Sequence, residues 1–262
     1  DIVPHQPDFK IKGNVEFKDV WFAYNEENFI LKGISFSLSE GESLAIIGAT
    51  GSGKSTLVNT LCRFYDIQKG NILFDGKPIK SINKYDLRRQ IALVQQDVFL
   101  FSGNISDNIR LGNPHIVQKE IESISQSVSA HKFISNLPFK YDQELKEGGV
   151  GISSGQMQLI SFARALASNP RILVLDEATS SVDLETESQI QSGIQELIRE
   201  RTSIIIAHRI STLMYADKIL VLKHGQIVEF GFRKELLQQK GIFYKLCQSQ
   251  LQSQSLTSDN VE

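Results

Sequence analysis

The chain has 262 residues, 28 Lys+Arg against 30 Asp+Glu, a formal net charge of -2, 41% hydrophobic residues and two cysteines. That apolar content suffices for a globular core, and near-cancelling charge without blocks of like sign gives no electrostatic reason to expect nucleic acid or an anionic membrane surface as a direct partner. The longest apolar runs fall far short of the ~20 residues of a membrane helix; DIVPHQPDF has no signal-peptide core; and Cys62 and Cys247, without CxxC spacing or an adjoining His, indicate neither disulfide framework nor zinc site and fit a reducing, cytosolic compartment.

From Gly13 the alternation NVEFKDVWF predicts a strand with one buried face, and ILKGISFSL its antiparallel neighbour across the polar turn NEEN. SLAIIG is a continuous apolar run that leads through GATGSGK into the apolar-periodic STLVNTLCRFY, a strand, a loop and a helix. NILFDGKPI carries an Asp-Gly hairpin turn, and IALVQQ is another short strand. From about Asp97 to Pro170 apolar residues recur at helical spacing, as in IVQKEIESISQSVSAHKFI and SSGQMQLISFARALAS, which predicts a helical subdomain inserted into a sheet. RILVLDE, SIIIAH and KILVLKHGQIVEFG return to β-type runs, with the helix-like ETESQIQSGIQELIRE among them. This alternation predicts a mainly parallel sheet with crossover helices. The Gln/Ser-rich end QSQLQSQSLTSDNVE has no apolar periodicity and is expected to be a disordered tail.

Gly48 to Ser55 matches G-x-x-x-x-G-K-[ST] between the buried run and the helix. Glycines there let the backbone N–H groups of Gly48, Ala49, Thr50, Gly51, Ser52 and Gly53 turn around phosphate oxygens, and the helix N-terminus adds its positive dipole. Lys54 is expected to reach the β- and γ-phosphates and Ser55 to give its hydroxyl to magnesium, with Thr56 closing the motif. RILVLDE supplies the acidic partner: Asp176 ends an apolar strand and is expected to hold magnesium through water. Glu177 follows as general base for the attacking water, a role worth about 10²–10⁴ in rate. Alone, a strand ending in Asp-Glu reads as the start of a turn; the glycine loop turns it into a site. Of the five histidines, only His208 follows a buried β-type run, placing it toward the γ-phosphate.

In this order the motifs resemble the nucleotide-binding domain of ATP-binding cassette (ABC) transporters, from about Gly13 to Gln248. The resemblance implies an α/β fold: a P-loop NTPase core with a mainly parallel sheet, an N-terminal antiparallel β layer and an inserted helical subdomain. Tyr24 in WFAYN resembles the aromatic residue that stacks on adenine, GATGSGKST Walker A, and VLDE Walker B. In LVQQD, Gln96 rather than Gln95 aligns with the Q-loop glutamine that touches magnesium and the attacking water. ISSGQ, Ile152 to Gln156, resembles the signature LSGGQ. The family pattern then implies that Ser153, Ser154, Gly155 and Gln156 grip the γ-phosphate of ATP bound to the other subunit, while Ser153 also reads as a simple N-cap. Asp183 in SSVD matches the D-loop and His208 the H-loop histidine. Ile152 replaces the usual Leu, and Ser154 replaces the first Gly, adding a side chain where backbone approaches phosphate.

RFYD, DLRRQIALVQQDVFLFSGNISDNI and KEGG resemble the exporter type, in which this domain follows six membrane helices in one polypeptide and the segment with Glu147 lies near coupling helices. The implied organisation is 1–12 linker from the membrane domain, 13–96 and 171–247 ATP-binding core with β subdomain, 97–170 helical signature subdomain, and 248–262 tail. ATP and Mg2+ are the implied cofactors. The implied partners are a second nucleotide-binding domain, as homo- or heterodimer, and transmembrane domains in the same full-length chain, at the cytoplasmic face of a membrane, with no nucleic acid. ATP-driven head-to-tail dimerisation would then power transport. The alternative is a stand-alone importer ATPase. A DNA-repair ATPase would need a long coiled coil between the glycine loop and the signature, and a dead regulatory module would lack Lys54 or Glu177.

Overall fold

The computed structural model describes residues 3–6, 9–25, 28–111, 113–176, 184–207 and 210–249. In chain order come β1 (Val15–Phe22), β2 (Leu31–Leu38), β3 (Ser43–Ile47), α1 (Lys54–Leu61), β4 (Lys69–Phe74) and β5 (Lys77–Pro78). Next are α2 (Lys84–Arg88), β6 (Ile91–Val94), β7 (Gly103–Asn104), α3 (Ile105–Arg110), α4 (Gln118–Ser127), α5 (His131–Ile134), β8 (Glu144–Leu145) and α6 (Ser154–Ala167). Then follow β9 (Ile172–Asp176), α7 (Leu184–Ile198), β10 (Thr202–Ile206), α8 (Ile210–Leu213), β11 (Lys218–Lys223), β12 (Gln226–Phe232) and α9 (Arg233–Gln239). The chain divides into two units, residues 13–82 with 204–262, and residues 1–12 with 83–203.

In the first unit an antiparallel layer runs in the order β2-β1-β4-β5. Val15, Phe17, Val20 and Phe22 of β1 are buried, and the paired Phe17 and Phe36 stack with ring centroids 4.6 Å apart. The β4–β5 hairpin turns on Asp75 (φ 50) and Gly76 (φ 79), the doubly left-handed geometry that an Asp-Gly turn favours. All five residues of β3 are buried. It pairs in parallel with β11, from Leu44↔Lys218 to Ile47↔Val221, and β12 runs antiparallel on β11. Burial on both faces is why its sequence is continuously apolar rather than alternating.

Helix α1 stops at Leu61, short of the predicted Tyr65, because Arg63 turns left-handed (φ 52). Its side chain is 1% exposed, and its guanidinium donates to the Asp66 carboxylate at 2.9 Å and to the carbonyls of Ile79 and Ile82 at 3.0 and 2.6 Å. A buried charge needs such partners, and reaching them takes the backbone out of the helix.

In the second unit β6 and β9 pair in parallel, from Ile91↔Ile172 to Val94↔Leu175, and α3 to α6 are inserted between them in sequence, as the helical spacing predicts. Helix α6 packs against α3, α4 and α7. Where α7 crosses, a Cβ on Gly193 would lie 2.9 Å from Phe162 Cδ2, so only glycine permits that approach. The short strands β7 and β8 add an antiparallel pair. Val3, Gln6 and Phe9 are hydrogen-bonded to Asn83, Asp86 and Gln90, along α2 and just before β6. Asn83 Nδ2 donates to the Val3 carbonyl at 2.5 Å and Gln90 Nε2 to that of Phe9 at 3.3 Å. Asp86, 5% exposed, accepts the Gln6 N–H at 2.7 Å and also meets His5 Nδ1. Among the described residues no helix is long and apolar enough to cross a membrane.

Candidate functional site

The glycine loop lies wholly in the first unit, between the buried β3 and α1. Gly48 takes φ +157, and a Cβ there would fall 2.2 Å from the Leu222 carbonyl oxygen and 2.7 Å from Ser52 Oγ. Gly51, at φ +78, would meet nothing within 4 Å, so the loop backbone faces open space there. Lys54, 8% exposed, folds back over the loop, its Nζ donating to the carbonyls of Gly48 at 2.7 Å and Ala49 at 3.2 Å. The loop is braced from behind by the β11–β12 turn, where Gly225 N–H donates to the Ser52 carbonyl at 3.0 Å.

These features fit a polyphosphate. The α1 N-cap, Gly53, supplies no side-chain cap, and the N-terminus of such a helix suits an anionic acceptor. Ser52 Oγ is buried without a hydrogen-bond partner, an orphan that a bound oxygen would satisfy. Ser55 is exposed in the first turn of α1, a hard oxygen donor suited to magnesium. No cluster of three or more His, Cys, Asp or Glu suited to a metal occurs among the described residues.

Tyr24 stands beside α1, 46% exposed. Its hydroxyl lies 3.3 Å from Thr56 Oγ1 and accepts from Asn59 Nδ2 at 3.4 Å. Its ring meets those of Phe22 and Tyr65 edge-to-face, each with centroids 5.0 Å away.

The other expected groups belong to the second unit. Because Val94 pairs with Leu175, parallel β6 and β9 end together, and the exposed Gln95 and Gln96 leave the same strand edge at which β9 ends in Asp176. Carboxyl ends of parallel strands are where α/β sheets bind ligands. Ser153 caps α6, its Oγ accepting the Gln156 N–H at 3.2 Å while its own N–H donates to Gln156 Oε1 at 3.2 Å, a reciprocal capping box. Ser154 is the first helical residue and exposed, Gly155 is buried, and Ile152 is half-buried. Glu177, Asp183 and His208 lie outside the described residues.

Beyond Gln96, Arg164 of α6 donates to the Asn108 carbonyl and Oδ1, both at 2.9 Å, and to the Phe99 carbonyl at 3.1 Å. Burial draws its guanidinium below the usual value, though an arginine in this setting stays charged. The exposed Phe99 and Phe101 rings meet edge-to-face at 5.1 Å beside a groove of about 360 Å³ that Gln95, Val98, Leu111 and Arg164 also line. Sequence reasoning passed over Arg164, since an arginine on a helix ordinarily reads as a solvated residue.

A buried strand, a left-handed glycine loop, a lysine folded over it and an uncapped helix define a P-loop phosphate-binding protein. The ABC transporter family model matches residues 31–180, and the chain belongs to that family. It is 47% identical over 241 residues to an uncharacterized ABC transporter ATP-binding protein, YknV, of Bacillus subtilis, covering 92% of this chain and 40% of the relative. An ATP-dependent lipid A-core flippase of Saccharophagus degradans is 48% identical over 239 residues (91% and 41%). A putative multidrug export ATP-binding/permease protein of Staphylococcus aureus is 47% identical over 236 (90% and 41%). The solved structure of a bacterial Atm1-family ABC exporter with ATP bound aligns with a TM-score of 0.86 at 37% identity, covering 95% of this chain and 44% of that one. The chain thus spans about two fifths of the length of the curated relatives it matches.

Proposed function

We propose that this chain is the ATP-binding and hydrolysing domain of an exporter-type ABC transporter, working at the cytoplasmic face of a membrane. The observation that carries the reading is the cradle of Gly48 to Thr56, with its orphan Ser52 hydroxyl, uncapped α1 and overlying Lys54. Lys54 and the loop N–H groups hold the phosphates, and Tyr24 receives the adenine. Ser55, Asp176 and Gln96 hold Mg2+, which when bound offsets phosphate charge. Glu177 takes the proton from the attacking water at its carboxylate, and His208 contacts the γ-phosphate. Ser153, Ser154, Gly155 and Gln156, with Asp183, serve the nucleotide of a second nucleotide-binding domain in a head-to-tail dimer. Because ATP contacts both halves only when they are closed, its differential affinity drives closure, and hydrolysis releases it.

The domain boundaries expected from the sequence belong to the same proposal, with 1–12 as linker, 97–170 as signature subdomain and 248–262 as tail. Named exporters among the relatives favour this reading over the stand-alone importer ATPase. The groove beside Gln95, Phe99 and Phe101 supports the Q-loop segment as the place where transmembrane domains dock.

The test is a calorimetric titration with ATP and magnesium. Lys54→Ala is expected to abolish binding, and unchanged affinity overturns the assignment. For the exporter type, the full-length reading frame is expected to carry six membrane-spanning segments upstream; a frame without them restores the importer.

A further inference from the structure

One side chain fastens the backbone from which Tyr24 projects. Strand β1 ends at Phe22, and the last β1–β4 partners are Trp21 and Lys69. One residue further on, the Gln68 side chain replaces the missing strand neighbour. Its Oε1 accepts the Ala23 N–H at 3.0 Å, and its Nε2 donates to the Ala23 carbonyl at 2.8 Å. The Gln68 N–H also donates to the Trp21 carbonyl at 3.2 Å. Ala23 is 3% exposed, so both its polar groups require these partners, and the primary amide supplies one donor and one acceptor in matching order. Tyr24 is the next residue. Its ring lies edge-to-face with Phe22 and Tyr65, and its hydroxyl reaches Thr56 on α1.

We infer that Gln68 is a positioning residue for base recognition: its amide clamp on Ala23 holds the Tyr24 ring ready for a nucleobase. The inference rests on reading Gly48–Thr56 as an ATP site. An aromatic platform ordered before binding spares the ligand the entropy of ordering it, so the clamp acts on the base and not on the phosphates. The hydrogen bonds of Gln68 run to Ala23 and Trp21, and its effect on the base passes through Ala23 to Tyr24.

The experiment titrates ATP and inorganic tripolyphosphate, each with magnesium, into the wild type, Gln68→Ala, Tyr24→Ala and the double variant, with thermal melts of all four. Gln68→Ala is expected to weaken ATP about three- to tenfold, the scale of one aromatic stacking contact, with tripolyphosphate changed by less than about twofold. The double variant is expected to be no weaker than Tyr24→Ala, since the two act as one unit. Unchanged ATP affinity in Gln68→Ala, losses that multiply in the double variant, or a parallel fall in tripolyphosphate affinity each overturn the inference. A wild type that takes up neither probe overturns the ATP reading instead, and the inference falls with it.

Discussion

Arg164 donates from α6 to the carbonyl of Phe99 at 3.1 Å, joining the helix that Ser153 caps to the segment that leaves Gln96. The same guanidinium holds Asn108, 1% exposed, whose amide in turn donates to the Phe101 carbonyl at 2.9 Å and accepts the Phe101 N–H at 2.9 Å. Removing it takes away three hydrogen bonds, two of them part-buried at Asn108. Arg164→Ala is expected to cost about 1–3 kcal/mol in urea unfolding and to speed amide exchange at Phe101; an unchanged midpoint would show the contacts to be incidental.

Under the proposed signature reading Ser154 stands where the usual pattern has glycine, and it occupies the first turn of α6, exposed and without positive φ. The backbone therefore does not need glycine, and Ser154→Gly is expected to change stability by less than about 1 kcal/mol. If the hydroxymethyl group stands where a partner's phosphate approaches, the same substitution raises ATP-driven dimerisation in light scattering. Equal dimer fractions would clear Ser154 of any hindrance.

Glu177→Gln is expected to keep ATP affinity and remove turnover, about 10²–10⁴-fold in phosphate release. A stable ATP-loaded dimer should then accumulate. Normal hydrolysis by the variant would assign the base elsewhere, with His208 next to test.

Glu42 carries a pH dependence unrelated to the nucleotide. Burial works to raise its carboxyl, but hydrogen bonds from Lys218, whose Nζ lies 2.7 Å away, and from Ser39 outweigh that, and its pKa falls below the usual carboxylate value. A depressed folded-state pKa adds stability above the unfolded value and loses it as pH drops through the folded one. Glu42→Gln is expected to lower stability by about 1 kcal/mol at pH 7, and the gap to wild type should close as pH falls below the usual carboxylate value and through the depressed one. A gap constant across that range would remove Glu42 as its source.

The glycine loop was readable because its geometry is local: spacing alone puts Gly48, Gly51 and Gly53 where positive φ is needed. The strand edge at which β9 ends in Asp176 followed from parallel alternation in the same way, whereas Gln96 came from the family resemblance. Contacts made by long polar side chains across sequence were not readable. Nothing in RFYD says that Arg63 will leave the helix for two carbonyls near Ile82, or that Gln68 will pair with Ala23. Tyr24 stood out only through the family resemblance, since a tyrosine after a strand is an ordinary turn residue.

The brace behind the glycine loop sets an order in time. Leu222 and Gly225, which shape the space around Gly48 and hold Ser52, lie far downstream, so a nascent chain that has only just passed Lys54 has the motif but not its scaffold. The braced form of the loop therefore exists only once the β11–β12 hairpin has left the ribosome and docked. The motif is made early, and its scaffold is completed only late in synthesis.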